Sequence, residues 1–445
     1  MRVCVRMPGS ARRETGLTWF TGADGRPQPG LGGATSQVAD GTVRAPARRP
    51  PAGATGGRPR PAPPVRSVDV LVAASTTARL RRVVAVSATT PLWIGTFPHA
   101  GIGTEAGLGE GIWRVDLDRT TGALGEPRPV VETPAPTFVA THPGGRWLYA
   151  VGESERGTVT AFEVTADGGL VPRATVTSGG SAPCHLLVVD DALLVASYVD
   201  GVLAVVPLTP DGAFRPEVTA AGVPAQVLPH TGSGPDRDRQ EGPHAHFVAL
   251  TPDRRHVLVA DLGTDELRRY ARAADGTLVA DGVAAVLPPG TGPRHVAFAS
   301  DGAHLYVAGE LDATVHVLAW DAASATGSPR QTVPAVPPAE AADGVRRSPS
   351  HVLLDGDRLL LGVRALGLRG PDAVTSYDVR ADGTLGEPRT APLPGPTPRH
   401  LAVVDGWTVV ALQDAHALVV QGPDGTQVAE VALRSPACVV PVVTA

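Results

Sequence analysis

The clearest pattern of apolar and polar positions is a pair of short apolar runs, residues 296–298 and 305–308, separated by Ser-Asp-Gly. Two such runs joined by turn-forming residues predict a β-hairpin. An ionisable residue lies beside each run, with Arg294 before the first and Glu310 after the second. If the hairpin recurs, the ionisable positions become candidates for a working face.

The hairpin pattern does recur, and each copy begins at a proline. The copies start at Pro136, Pro183, Pro243, Pro293, Pro349, Pro398 and, more faintly, Pro436. By subtraction, the first six are 47 to 60 residues apart. Periods of this length, with several short strands in each unit and few helical signals, are typical of a β-propeller. The sequence therefore predicts an all-β fold.

The two ends of the repeating region complement each other. Residues 92–97 resemble the second strand of the hairpin but lack a first strand before them, and residues 436–442 resemble a first strand without a second. We therefore expect the C-terminal strand to complete the first blade and close a ring of seven blades. Closure also removes the open sheet edges that promote aggregation. The predicted propeller domain covers residues 86–445.

Residues 1–85 differ in composition from the propeller region. They contain 14 Arg against four acidic residues, a charge of +10, with many Pro and Gly residues. Such a segment buries too little apolar surface to offset the entropy of ordering it, which predicts a disordered extension. A translation start assigned too far upstream is an alternative explanation. No signal peptide or membrane-spanning run is recognised in the sequence.

Charge and cysteine content narrow the classes of function. The whole chain has a net charge of −5, so the region after residue 85 carries −15 by subtraction, which argues against nucleic-acid binding. Three scattered cysteines predict neither a disulfide framework nor a zinc site. We expect a cytoplasmic protein that binds neither membrane nor nucleic acid and needs no cofactor. The oligomeric state is left open.

Aligning the copies on the proline separates repeated residues from exceptions. Histidine recurs two places after the proline in four copies, which predicts a structural role within the blades. Three places after it, His246 is polar where the other copies are apolar. One place after it the residues vary and include His244, Arg294 and Arg399; alternation along a strand would give them the same face as His246. The end of the second strand also varies, and includes Glu153, Glu310, Arg364 and Gln413.

These exceptions suggest a shared central cavity. The candidate catalytic residues are His246, Arg294, Glu310 and Arg364, and the candidate substrate-binding residues are His244, Glu153, Arg399 and Gln413. A carboxylate or imidazole can activate water, while arginines hold an anion and stabilise an oxyanion. The plainer interpretation is that Arg294 and Glu310 form an ion pair that only steadies the blade.

Several motifs together resemble the lactonase family of seven-bladed propellers, which includes propeller-type 6-phosphogluconolactonases and a fungal carboxy-muconate cyclase. The resemblance covers about residues 90–442, and its motifs lie at residues 95–97, 141–149, 239–246, 259–265 and 292–295. It implies a metal-free lactone hydrolase or lactone-forming enzyme, whose functional residues fall on His246, Arg294, Glu310 and Arg364. Ala365 follows the last arginine where the family tends to have Gly, so Arg369 is an alternative to Arg364.

The sequence is consistent with three functions. The preferred one is hydrolysis of a small anionic lactone, 6-phosphogluconolactone of the pentose phosphate pathway being the first choice. The alternatives are a muconate-type cycloisomerase or lactonase, and a non-catalytic propeller that serves as a binding scaffold. Phosphate and carboxylate substrates are not distinguished, because arginines bind both. The spacing of His244 and His246 suits a metal, but no clear third ligand follows nearby.

Overall fold

The computed structural model describes residues 87–97, 111–341, 344–366 and 371–443. The predicted extension over residues 1–85 lies outside the described residues. Neither of the two helices in these ranges has the length and apolar character needed to cross a membrane.

The described residues form seven antiparallel sheets of four strands each, and we number these blades in chain order. Blade 1 contains β1 (Thr89–Thr96), β2 (Ile112–Asp118), β3 (Arg128–Val131) and β28 (Pro436–Pro441). Blade 2 contains β4 (Val139–Thr141), β5 (Trp147–Gly152), β6 (Thr158–Val164) and β7 (Leu170–Thr177). Blade 3 contains β8 (Pro183–Val189), β9 (Ala192–Ser197), β10 (Val202–Pro207) and β11 (Gln226–Pro229). Blade 4 contains β12 (Ala245–Leu250), β13 (His256–Asp261), β14 (Glu266–Arg272) and β15 (Leu278–Val286).

The remaining three blades follow the same plan. Blade 5 contains β16 (Pro293–Phe298), β17 (His304–Gly309), β18 (Thr314–Asp321) and β19 (Thr326–Pro334). Blade 6 contains β20 (Arg347–Asp355), β21 (Arg358–Ala365), β22 (Ala373–Asp378) and β23 (Arg389–Pro392). Blade 7 contains β24 (Pro398–Val404), β25 (Trp407–Leu412), β26 (Ala417–Gln421) and β27 (Gln427–Ala432). The helices are α1 (Pro216–Ala221) and α2 (Pro338–Ala341).

The hairpin from which the repeat was recognised is present in blade 5. Strands β16 and β17 pair antiparallel, with Phe298 opposite Leu305. Gly302 has a φ of +67°, a left-handed conformation that glycine adopts without strain. The Asp301 carboxylate accepts a hydrogen bond from the backbone N–H of Ala303 at 2.8 Å, which further stabilises the turn.

The ring closes as predicted. Strand β28 pairs with β1, with Val439 opposite Ile94, so the C-terminal strand becomes the innermost strand of blade 1. The innermost strands of all neighbouring blades contact one another, and β28 contacts both β24 and β4. The prediction of a seven-bladed propeller closed by its C-terminal strand is confirmed. Residues 322–346, between β18 and β20, contain β19 and α2, so much of this long connection is regular structure.

Within the described ranges, the hydrophobic core consists of seven apolar clusters, each lying between two adjacent blades. Strand β5 shows how one strand contributes to two of them. Tyr149 packs toward blade 3, whereas Leu148 and Ala150 pack toward blade 1. Because alternate side chains of a strand point to opposite faces, a strand covered on both sides is apolar throughout. This packing fixes the innermost strands, which carry the candidate functional residues.

Candidate active site

The innermost strands carry β-bulges that redirect single side chains toward the axis of the ring. In blade 5, Pro293 pairs with Gly309 and His295 with Ala308, which leaves Arg294 between them without a ladder partner. A bulge interrupts alternation along the strand and re-aims the extra side chain. Arg294 therefore lines a pocket instead of the interface between blades.

Corresponding interruptions occur in five other blades. The residues at these positions are Cys184, His246, Ser350, Arg399 and Ala437, with His351 also unpaired in blade 6. The residue type at this bulge position varies from blade to blade, whereas the residue type at the next position is largely repeated. Function can thus differ from blade to blade without changing the packing.

The structure corrects the predicted alignment of His246. Strand β12 begins at Ala245, which pairs with Asp261, so Ala245 takes the place that proline holds in other blades. His246 is therefore equivalent to Arg294, and Val248 occupies the position that is apolar in the other copies, three places after the start of the strand. The prediction that His244 shares a face with Arg294 is wrong, because His244 precedes the strand. His246 was singled out for a reason that the register does not support.

Ten residues surround an open pocket with about 300 Å³ of empty space, part of which is open to solvent. The lining consists of Thr137, Phe138, Glu153, Cys184, His246, Arg294, His295, Arg399, His400 and Ala437. Four of the eight predicted site residues are among them: Glu153, His246, Arg294 and Arg399. The structure thus brings half of the predicted set into one cavity.

Beside the pocket, the Glu310 carboxylate is held by three arginines. Oε2 of Glu310 lies 2.8 Å from Nε of Arg294 and 3.1 Å from Nη2 of Arg364. Oε1 accepts a hydrogen bond from Nη2 of Arg239 at 2.8 Å. Arg364 also donates hydrogen bonds to Oγ and the carbonyl oxygen of Ser348, at 2.8 Å and 3.2 Å. Two of the predicted residues, Arg294 and Arg364, therefore meet at Glu310, and Arg239 joins them.

Arg239 comes from the long connection between β11 and β12. Its neighbour Gln240 is fully buried and donates hydrogen bonds from Nε2 to the Leu262 carbonyl at 2.9 Å and to Oδ1 of Asp265 at 2.8 Å. The same Asp265 accepts hydrogen bonds from the backbone N–H groups of Gly290 and Gly292, both at 2.7 Å. This network anchors the loop to blade 4 and to the start of blade 5.

The three arginines keep Glu310 ionised. Burial opposes ionisation, but Arg364, Arg239 and Arg294 outweigh it and hold the pKa of Glu310 well below its ordinary value. Burial and the neighbouring Arg364 and Arg399 lower the pKa of Arg294 to about 9, so its guanidinium stays charged at neutral pH. The ion pair thus presents a charged Arg294 to the pocket.

His246 is neutral at physiological pH. Burial and then the positive charge of Arg294 hold the pKa of His246 well below its ordinary value, although Glu310 acts in the opposite direction. Its Nδ1 lies 3.9 Å from Sγ of Cys184, and the Tyr198 ring packs edge-on against it with centroids 5.6 Å apart. A neutral imidazole can accept a proton, which a general base requires.

Glu153 is a second carboxyl group, in a different environment. Its side chain accepts a hydrogen bond from the hydroxyl of Thr137. Burial raises the pKa of Glu153 above its ordinary value, and this effect outweighs the opposing influence of Arg399, Thr137 and Arg294. The two carboxyl groups of the site therefore have their pKa values displaced in opposite directions.

Arg399 differs from the other arginines of the site because its charge is not neutralised by a bound carboxylate. Its guanidinium lies over the Phe97 ring, 4.9 Å from the ring centroid. Within the described ranges no carboxylate forms an ion pair with it. Four arginines and two carboxyl groups make up the site, an excess of two positive charges even when both carboxyl groups are ionised. The pocket therefore suits an anion.

The other predicted residues do not line the pocket. The His244 ring stacks on Tyr198 with centroids 4.5 Å apart, and its Nδ1 lies 2.9 Å from the Tyr198 carbonyl oxygen. Gln413 donates a hydrogen bond to Asp414 at 3.0 Å. Arg364 contacts Glu310 as described, whereas the alternative Arg369 lies outside the described residues.

The four repeated histidines pack ring against ring in one cluster, which we call the histidine stack. His351 stacks on His400 at a centroid distance of 4.1 Å, and Nδ1 of His295 lies 2.8 Å from Nδ1 of His351. The His185 ring accepts a hydrogen bond at 3.2 Å from the backbone N–H of Val248, which belongs to the next blade. The structural role expected for these histidines is thus exerted between blades and not only within each blade.

Metal chemistry receives no support from the geometry of the side chains. In the part of the chain that the structure describes, no three His, Cys, Asp or Glu side chains are arranged to hold a metal ion. The expectation that the reaction needs no metal stays a prediction.

Comparison with known proteins identifies the family and several relatives. Residues 91–440 match the family described as "Lactonase, 7-bladed beta-propeller". A 6-phosphogluconolactonase of Bacillus subtilis is 32% identical over 291 residues, which cover 64% of this chain and 77% of the relative. A protein of Lactococcus lactis, YwcC, is 30% identical over 283 residues, which cover 62% of this chain and 76% of the relative.

Solved structures show the same fold. The periplasmic gluconolactonase PpgL of Pseudomonas aeruginosa superposes with a TM-score of 0.66 at 25% identity, covering 80% of this chain and 99% of that one. A Lactobacillus plantarum protein superposes with a TM-score of 0.69 at 24% identity, covering 79% and 99%, and supports the fold alone.

Proposed function

The chain belongs to the lactonase family of seven-bladed β-propellers, and from this membership we propose that it hydrolyses a small anionic lactone. The observation that carries the proposal is the pocket, where neutral His246 and charged Arg294 lie together in an arginine-rich site. The relative from Bacillus subtilis makes 6-phosphogluconolactone the first choice of substrate. A cytoplasmic location accords with that choice and stays part of the proposal.

In the proposed reaction, His246 acts as the base and Arg294 stabilises the oxyanion. His246 accepts a proton from water as the water oxygen attacks the lactone carbonyl carbon. The carbonyl oxygen becomes an oxyanion, which Arg294 stabilises with its buried guanidinium. Glu310 acts through the arginines: it holds Arg294 and Arg364 in place and is itself too strongly bound to serve as the base.

Arg399 provides for the acidic substituent of the substrate. A guanidinium without a carboxylate partner pairs readily with a phosphate or carboxylate, and its place over Phe97 limits its rotation. Arg399 is therefore expected to contribute mainly to substrate binding. Replacing it should raise KM for a charged lactone and leave the uncharged analogue nearly unaffected.

A hydrolysis assay on freshly prepared 6-phosphogluconolactone tests the proposal, with gluconolactone and a muconolactone assayed beside it. We expect kcat/KM to be at least tenfold higher for the phosphorylated lactone than for gluconolactone, about 1.4 kcal/mol of differential binding. In the Arg399→Gln variant this preference should disappear.

The outcomes distinguish the candidate functions. A rate no faster than spontaneous hydrolysis for all three lactones contradicts the proposed activity and supports a binding scaffold. A preference for muconolactone would support the lactonase activity but would show that the substrate comes from the breakdown of aromatic compounds. Replacement of Arg434, which lies outside the pocket, by Gln provides the charge-matched control.

A further inference from the structure

Two carboxyl groups lie near Arg294, and their surroundings divide their possible roles. Glu310 is bound by three arginines, and it does not line the pocket. Glu153 lines the pocket and is 9% exposed. Among the described residues Glu153 forms no ion pair; its hydrogen-bond partner is the Thr137 hydroxyl. Glu153 is thus the carboxyl group that a bound lactone can reach.

Glu153 and His246 line one pocket, and they favour complementary protonation states. Burial raises the pKa of Glu153, which favours the protonated acid, and burial lowers the pKa of His246, which favours the free base. Pairs of groups with pKa values displaced in opposite directions commonly mark the acid and base of a reaction. Both side chains line the cavity together with Arg294.

We propose that Glu153 is the general acid of the reaction and protonates the ring oxygen of the lactone as it departs. This inference rests on the proposed function and adds a catalytic residue to it. Family resemblance had placed the chemistry on other residues, and Glu153 had been expected only to bind substrate.

The proposed hydrolysis passes through an oxyanion, and Glu153 gives up its proton when the ring bond breaks. The water oxygen bonds to the carbonyl carbon while His246 takes one water proton, and the carbonyl electron pair moves to the oxyanion beside Arg294. That pair then re-forms the carbonyl as the bond to the ring oxygen breaks. The ring oxygen keeps the bonding electrons and takes the proton of Glu153. Solvent then returns His246 to its neutral form and Glu153 to its acid form, leaving the hydroxy acid as product.

A leaving group that needs no proton reveals the role of a general acid. An alkoxide, as released from 6-phosphogluconolactone, is a poor leaving group, whereas the phenoxide released from dihydrocoumarin-6-carboxylate is a good one. In Glu153→Gln, kcat on the first substrate should fall by about a hundredfold or more, but less than about fivefold on the second. The glutamine keeps an oxygen that can accept the Thr137 hydrogen bond, so the fold is expected to persist.

The pH dependence provides a second readout on 6-phosphogluconolactone alone. Wild-type kcat should decline on the alkaline side as Glu153 loses its proton, and Glu153→Gln should lose this decline while keeping the separate one near pH 9, where Arg294 loses its charge. Thr137→Val removes a hydrogen bond that lowers the pKa of Glu153, so the alkaline decline should move to higher pH. A merely structural Glu153 would produce neither change.

The results separate this inference from the proposed function. Suppose that the wild-type enzyme hydrolyses 6-phosphogluconolactone and that Glu153→Gln retains the full rate, or that its kcat falls equally on both substrates with an unchanged pH profile. Glu153 is then not the general acid, and the lactonase proposal stands. If the wild-type enzyme hydrolyses neither lactone, both are overturned. Thermal unfolding of each variant shows that a lost rate does not come from a lost fold.

Discussion

Arg294 and Glu310 form a buried ion pair across blade 5, with Nε of Arg294 2.8 Å from Oε2 of Glu310. The two side chains are only 3% and 6% exposed, so little solvent screens the pair. Arg364 of blade 6 and Arg239 of the connection between β11 and β12 bind the same carboxylate. The plainer interpretation of an isolated inter-strand pair is therefore too narrow, because the contact joins residues of two blades and one loop.

Replacing Arg294 by Ala should lower kcat on the preferred lactone by about a hundredfold or more, the usual effect of losing one oxyanion donor. Glu310 keeps two arginine partners in this variant, so the protein should remain folded. Steady-state kinetics and thermal unfolding check the two expectations. Arg173→Ala, which removes an exposed arginine bound to Glu163, is the control and should retain its activity. A folded Arg294→Ala protein with the wild-type rate would refute the assigned role.

Replacing Glu310 by Gln should destabilise the protein by about 3–5 kcal/mol, because three arginine charges, those of Arg294 and Arg364 largely buried, lose their shared partner. Replacing Arg239 by Gln should cost less, since its side chain is 28% exposed and Glu310 keeps two partners. Urea unfolding of both variants at pH 7 measures the difference. Equal losses of stability would show that the carboxylate is not the centre of the cluster.

The histidine stack should make stability depend on pH. Burial lowers the pKa of His185 and His400 to about 3, against about 6.5 in an unfolded chain. Below pH 6.5 the unfolded chain therefore takes up protons that the folded protein refuses, and stability falls as the pH drops toward 3. Each such histidine contributes a loss of about 1.4 kcal/mol per pH unit well inside this window.

Unfolding in urea at pH 6.5, 6.0, 5.5 and 5.0 measures this slope before most carboxylates begin to titrate. The variant His400→Phe places an aromatic ring where Phe138 and Phe247 stand in their own blades, and should reduce the slope. An equal slope in the variant and the wild type would remove His400 from the explanation. Constant stability across the window would contradict the role of the whole stack.

Closure of the ring depends on the C-terminal strand, and Val439 in β28 packs in the cluster between blades 7 and 1. A Val439→Asp replacement buries an unpaired carboxylate there, and we expect a loss above 4 kcal/mol with largely insoluble protein. Val443→Asp places the same charge at a residue that is 38% exposed and serves as the control. Soluble yield and thermal unfolding of the two variants give the comparison. Similar behaviour of both variants would mean that β28 is not needed for closure.

The sequence by itself determined the number of blades and the strand that closes the ring. It also identified most of the candidate functional residues at the ends of the second strands. These features follow from local rules, because apolar periodicity, turns and a repeated proline report strand pairing within one blade. Glu153 and Glu310 were found in this way, at a position whose residue type varies from one copy to the next.

Only the tertiary structure decided the register of His246 and the partners of Glu310. A bulge shifts the ladder by one residue and depends on contacts across the sheet, so His246 was aligned with the wrong column. Arg239 reaches Glu310 across 71 residues of chain because Gln240 and Asp265 anchor its loop, a contact that no local pattern reports. The opposite pKa displacements of Glu153 and Glu310 likewise arise from burial and from neighbours that the folded ring brings together.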